Sequence, residues 1–225
     1  MNRRTIGLSI AFLAAGMAIA FRSSADNPKP GDVTEVRANA AAADGNNWLL
    51  NGRTFEAQHF SPLQQINDKN AGGLGLAWSL DIDSAMGLVA EPIVVDGVIY
   101  LSAPLSKVYA VDATSGKIIW EFDPKVRLDQ AINGSYSART NAGVAVWGGK
   151  VYVGTGDCRL VAIDAASGKQ AWEATVCDPR QTGITGAPHV AKGRVFMGYN
   201  GSDDGVRGSL TPSARSADPG RFLIV

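Results

Sequence analysis

Net charge is what this chain most plainly lacks: 21 Lys and Arg balance 21 Asp and Glu over 225 residues. Without a basic excess, nothing argues for a nucleic-acid partner. Cysteine and histidine are scarce, with two of each. Neither cysteine has His or Cys neighbours that would build a metal or redox centre. No cysteine follows the N-terminal apolar stretch, which argues against a lipoprotein anchor. That stretch, Ile6 to Ala20, is also short for a membrane span. What is abundant points elsewhere. With 45% apolar residues, 26 glycines and five tryptophans, the chain reads as a turn-rich all-β protein.

The N-terminus is an address. Arg3 and Arg4 precede the apolar run, and Ala18-Ile-Ala20 offers a small-residue cleavage site. This is the layout of a secretory signal peptide over residues 1–25, cut after Ala20 or near Ala25. Residues 26–45, rich in Ala, Asn, Pro and Asp, read as a leader into the folded part.

The body of the chain repeats. Ala110-Val-Asp112-Ala-Thr-Ser-Gly116-Lys117-Ile-Ile-Trp120 returns 52 residues later as Ala162-Ile-Asp164-Ala-Ala-Ser-Gly168-Lys169-Gln-Ala-Trp172. Upstream, Ile93-Val-Val-Asp-Gly97-Val-Ile-Tyr100 matches Val144-Ala-Val-Trp-Gly-Gly149-Lys-Val-Tyr152. A third start appears at Pro188-His-Val-Ala-Lys-Gly193-Arg-Val-Phe196. Each unit reads as a hairpin about Asp-Gly, Gly-Gly or Lys-Gly, then a strand, a Ser-Gly-Lys turn, and a strand carrying Trp. Four antiparallel strands per unit make one propeller blade. Gly116 and Gly168 fall where the turn needs positive φ. Asp112 and Asp164 are placed to accept turn N–H groups, and Trp120 and Trp172 to pack between blades. All of these are architectural.

Cys158 opens the strand running to Ile163, and Cys177 ends the strand carrying Trp172. If Ile163 pairs with Gln170, the two cysteines lie one diagonal apart. A disulfide is then reasonable, with two separate buried thiols as the alternative.

Asn47-Trp48-Leu-Leu-Asn-Gly52-Arg53-Thr54, Phe60-Ser61-Pro62-Leu63, Gln65-Ile66-Asn67 and Leu74-Gly-Leu-Ala-Trp78-Ser-Leu-Asp81 resemble the N-terminal signature of pyrroloquinoline quinone (PQQ)-dependent alcohol dehydrogenases. The repeats resemble that family's tryptophan-docking motifs. Thr185-Gly-Ala-Pro188 and Gly205-Val-Arg-Gly208 resemble two more of its landmarks. The resemblance covers residues 45 to 211. It implies an eight-bladed propeller in the periplasm, PQQ and a calcium ion near its axis, oxidation of an alcohol, and in some members a cytochrome c as electron acceptor.

Carried over residue by residue, the resemblance makes Thr185 a quinone contact and Asn200, Gly201 and Ser202 a run beside the cofactor. Asp203 stands where the family has a calcium-ligating Glu. It keeps a hard oxygen one methylene shorter, with Asp204 as an alternative and an ordinary polar turn as the bland reading. Three departures accompany this. The family's Glu before the first blade strand is Val89 here, and Glu91, on the same strand face, is the candidate to take over its contact. The adjacent-cysteine disulfide of the family aligns with Tyr136-Ser137. Its Arg aligns with Ala142, which leaves Arg139 as a possible charge.

The third repeat does not complete. After Thr211 the chain reads Pro212-Ser-Ala-Arg-Ser-Ala-Asp-Pro-Gly-Arg-Phe-Leu-Ile-Val225, an aberrant, disordered tail over residues 212–225. Residues 46–211 hold about three four-stranded blades of the expected eight. No residue matches the family's general base, so no catalytic residue is named, and an open arc is expected to be inactive alone. The expected function is PQQ- and calcium-dependent alcohol oxidation by a truncated enzyme. The alternative is a non-catalytic periplasmic binding propeller resembling an outer-membrane assembly scaffold.

Overall fold

The computed structural model describes residues 29–84, 86–130 and 140–200, and the backbone of 209–213. The first sheet contains β1 (Ile93–Val95), β2 (Val98–Ser102), β3 (Val108–Asp112) and β4 (Ile118–Phe122), antiparallel in chain order. The second repeats it with β5 (Ala145–Trp147), β6 (Lys150–Gly154), β7 (Arg159–Asp164) and β8 (Gln170–Thr175). The third holds β9 (His189–Ala191), β10 (Arg194–Tyr199) and β11 (Ser209–Ser213). Among the described residues this third sheet has three strands, and β11 runs two residues past the expected limit of the repeats at 211.

Local chemistry explains these elements. The hairpin turns at Asp96-Gly97, Gly148-Gly149 and Lys192-Gly193 have positive φ at both central residues, the twist that matches flanking strands in a two-residue loop. Asp112 Oδ1 accepts the N–H groups of Ser115 (2.7 Å) and Thr114 (3.1 Å), and Asp164 Oδ1 accepts that of Ser167 (2.9 Å). The β7–β8 register pairs Ile163 with Gln170. That sets Cys158 and Cys177 one diagonal apart, and they form a disulfide with Cα atoms 5.1 Å apart.

The core lies between sheets. Strand β7 is buried on both faces because its sheet is covered on both sides, and only its terminal Asp164 emerges. Outer strand β8 alternates in the way a strand with one wet face does. The 26–45 leader is more than a connection. Val33 is fully buried, Gly148 N–H donates to Val33 O, and helix α1 (Glu35–Ala40) packs Ala38 into the same core. Arg53, itself buried, donates from Nη2 to the carbonyls of Ala41 and Ala42 just past the helix.

Tryptophans join the sheets. Trp120 Nε1 donates to Ala165 O at 3.0 Å, and Trp78 Nε1 donates to Ala113 O at 3.1 Å. Ala113 and Ala165 are equivalent positions of the repeat. Residues around Trp78 therefore stand beside the first sheet as β4 stands beside the second.

Candidate functional site

Three segments that lead into the first strand of each sheet meet side by side. Glu91 N–H donates to Ala142 O (3.1 Å), and Ala142 N–H donates to Thr185 O (2.8 Å). A bridge between Glu91 and Gly143 continues the contact. Consecutive strand starts are thus laced across the sheets, which makes β1, β5 and β9 the inner strands of a radial array. Gly143, at φ 143°, lets the segments close in: a Cβ there would lie 3.1 Å from Glu91 O.

The ledge that results carries two of the expected residues. Thr185 is half-buried, and its hydroxyl has no partner among the described residues; next to it, Gly186 has nothing within 4 Å of where a Cβ would project. Asn200 is exposed, and its backbone pairs with Gly183. The structure therefore brings Thr185 and Asn200 onto one short stretch at the start of the third sheet. Gly201, Ser202, Asp203 and Asp204 lie outside the described residues, as do Tyr136, Ser137 and Arg139. Among the described residues no three His, Cys, Asp or Glu side chains stand together as metal ligands.

Glu91 is held from the other side. Its Oε1 accepts the Trp48 indole N–H at 2.7 Å and the Gly52 backbone N–H at 2.8 Å. The segment it grips is itself bonded to β1, with Trp48 and Val94 exchanging two 2.9 Å backbone hydrogen bonds. Glu91 lines an open cleft of roughly 540 Å³ with Trp48, His59, Val89 and Pro92. His59 Nδ1 lies 3.7 Å from Oε1. The backbone of Glu91 belongs to the ledge, while its carboxylate anchors the N-terminal segment.

Sequence reading passed over two buried groups that support this region. Asn141 is 2% exposed and uses its whole amide. Its Oδ1 accepts from Ser102 Oγ (2.6 Å) and Gly143 N (3.2 Å); its Nδ2 donates to Ser106 Oγ (3.1 Å) and Gly154 O (2.8 Å). It fastens the first sheet to the second one residue before Ala142. The second group is Asp157, fully buried, which accepts from Arg159 Nε (3.0 Å), Thr155 Oγ1 (2.5 Å), and the Arg127 backbone N–H and Nε (3.0 Å each). Burial pushes its carboxyl up, but these donors outweigh it and hold the group down at about 2. Arg159 passes on to Glu173 (2.8 Å) and to the carbonyls of Pro124 and Lys125. An Asp-Cys-Arg step in the turn between two apolar strands was the signal available in the sequence.

The stretch offers a hydroxyl with no partner among the described residues, an exposed amide and a backbone ledge. Such polar groups are of the kind that bind the oxygens of an organic ring, whereas no metal donor set stands among the described residues.

The family of the glucose/ethanol/alcohol dehydrogenase β-propeller domain, the PQQ family, matches residues 48–202. Quinohemoprotein alcohol dehydrogenase ADH IIB of Pseudomonas putida is 48% identical over 191 residues, 84% of this chain and 27% of that protein. The 1-butanol dehydrogenase (cytochrome c) of Thauera butanivorans is 46% identical over 186 residues, covering 80% of this chain and 27% of its own length. Among solved structures, the quinohemoprotein alcohol dehydrogenase ADHIIG of Pseudomonas putida HK5 superposes with a TM-score of 0.79 at 46% identity, over 84% of this chain and 28% of that one. A europium-containing methanol dehydrogenase gives 0.73 at 32% identity, over 79% and 31%. The chain thus spans a little over a quarter of the relatives it matches. With its docked tryptophans, laced inner strands and the match over residues 48–202, this chain belongs to the PQQ-type alcohol dehydrogenase β-propeller family.

Proposed function

We propose that this chain forms one arc of a periplasmic quinoprotein that oxidises an alcohol with PQQ and calcium. The observation that carries the reading is the Glu91–Ala142–Thr185 ledge, in a chain whose relatives bear alcohol dehydrogenase names at 46–48% identity. Those relatives favour the enzyme over a binding scaffold.

A bound PQQ would supply the hydride-accepting quinone for alcohol oxidation, and a bound metal would supply a Lewis acid. The chain's own residues bind and orient. Thr185 offers a hydroxyl, without a partner among the described residues, to an oxygen on the rim of the cofactor, and Asn200 an exposed amide. Asp203 supplies a hard carboxylate of the kind calcium takes, with Gly201 and Ser202 beside the cofactor. Glu91 orders the N-terminal segment through Trp48 and Gly52. The general base is contributed from beyond the residues matched here. Residues 1–25 direct export, and a cytochrome c takes the electrons. Among the described residues no helix is long and apolar enough to cross a membrane.

The test is retention of quinone absorbance. The purified chain is incubated with PQQ and Ca²⁺ and passed through gel filtration, beside the Thr185→Val variant. Co-elution that the variant loses supports the site; no co-elution by either chain counts against it.

A further inference from the structure

Two arginines are buried among the described residues, and only one of them is matched by acids. Arg159, 5% exposed, faces the carboxylates of Asp157 and Glu173 at 2.9 and 2.8 Å. Arg53 is 5% exposed as well, and no Asp or Glu side chain among the described residues pairs with it. Its Nη2 alone is engaged, by the carbonyls of Ala41, Ala42 and Asp44 at 2.8, 3.0 and 3.2 Å. A guanidinium has five N–H groups; the three on Nε and Nη1 donate to nothing among the described residues, yet neither nitrogen is sealed from solvent. Carbonyl dipoles offset part of the cost of burying this charge, but they are no full counter-charge.

The backbone is bent to put the group there. Gly52 and Arg53 are both left-handed, at φ 75° and 76°, which is unfavourable for a residue that carries a Cβ. The chain then closes on itself, as Ala57 N–H donates to Thr54 O (3.0 Å) and His59 N–H to Gly52 O (3.1 Å). Arg53 and Thr54 are the buried lining of a cleft of roughly 330 Å³. Glu56, Gln58 and Phe60 are its exposed lining, with Pro62 half-buried beside them. This cleft shares no lining residue with the one at Glu91.

We propose that the cleft binds a small aliphatic carboxylate, its oxygens on the unpaired N–H groups of Arg53 and its hydrocarbon end against Phe60 and Pro62. The inference does not rest on the cofactor reading. The guanidinium calls for an anion, and hydrogen bonds between such a cation and a carboxylate are the strong ones. Gln58 adds an exposed amide without a partner among the described residues. Glu56 sets the limit on charge. It is the one acidic residue of the cleft among the described residues, and the Thr54 hydroxyl holds its carboxyl below the usual carboxylate range. With one charge of each sign, the cleft suits a monoanion, whereas a sulfate or phosphate dianion would be repelled by Glu56. Phe60, 69% exposed, gives the ligand an apolar wall that an inorganic ion cannot use.

The experiment titrates the ¹⁵N-labelled chain with sodium butyrate at constant ionic strength, beside n-butanol as the uncharged match and sodium sulfate as the dianion. The Arg53 Nε–H resonance and the amides of residues 52–60 report binding. A saturable shift with butyrate is expected, with little response to butanol or sulfate. Arg53→Gln would also release the carbonyls of Ala41 and Ala42, so the deciding variants lie at exposed positions. Glu56→Gln should tighten butyrate binding about two- to fivefold, and Phe60→Ala should weaken butyrate more than acetate. The proposal is overturned by the lack of a saturable butyrate shift, by an equal response to butanol, by tighter binding of sulfate, or by either variant leaving the butyrate affinity unchanged. No arm contains quinone, so failure here leaves the cofactor reading as it was.

Discussion

Trp120 seats its indole on Gly168 of the next sheet, forty-eight residues along, and donates its Nε1–H to Ala165 O at 3.0 Å. The glycine serves twice, since its φ is +68° and its missing side chain is the space that the ring occupies. Gly168→Ala is expected to cost about 2–4 kcal/mol, left-handed strain and overpacking together. Gly97→Ala, with φ +80° and nothing within 4 Å, should cost only the strain, about 1 kcal/mol. Urea unfolding of the two variants checks the difference. Equal losses would mean that the docking contributes nothing.

Asp157 makes stability depend on acid. Its folded pKa of about 2 lies below the ordinary 3.8, so the stability it adds is fully present above pH 4 and is lost as pH falls toward 2. The loss amounts to roughly 2 kcal/mol over that window. In Asp157→Asn that acid limb should flatten. Overall stability should also drop by about 1–3 kcal/mol, because buried Arg159 then keeps only Glu173 as a carboxylate partner. Unfolding midpoints measured from pH 2 to 5 read both effects.

The Cys158–Cys177 bridge closes a loop of 19 residues' separation, worth about 3 kcal/mol by loop-entropy reasoning. Reduction, or the Cys158→Ala/Cys177→Ala double variant, should lower the unfolding midpoint by that amount. It should also open the stretch from Asp178 to Gly183, which leads into Thr185, to proteolysis. Unchanged cleavage there would detach the bridge from the ledge.

Glu91 separates two roles. Glu91→Gln keeps an oxygen for the Trp48 and Gly52 N–H groups and should change stability by less than about 1 kcal/mol, whereas Glu91→Ala strands both donors and should cost about 1–3 kcal/mol. If the carboxylate also serves the cofactor, the Gln variant alone will show weaker PQQ retention at near-normal stability. Thermal unfolding paired with quinone titration distinguishes the cases.

Everything periodic was legible in the sequence: the two-residue hairpins, the Asp-capped turns, the tryptophan-bearing outer strands, and a cysteine pair that follows from one register. Such features depend on residues a few positions apart, or on a repeat that restates itself. Contacts between units were not legible, because no spacing rule relates them. Trp78 meets Gly116 at a separation of 38, Trp120 meets Gly168 at 48, and Glu91 is captured by Trp48 and Gly52 from a segment outside the repeats. Nothing local to Asn141 marks it out, yet burial makes its amide the joint between two sheets. The sequence by itself determined the blade and the family. Only tertiary structure decided which blade each tryptophan joins and where Glu91 points, because those outcomes depend on how separate sheets pack once their apolar faces are removed from water.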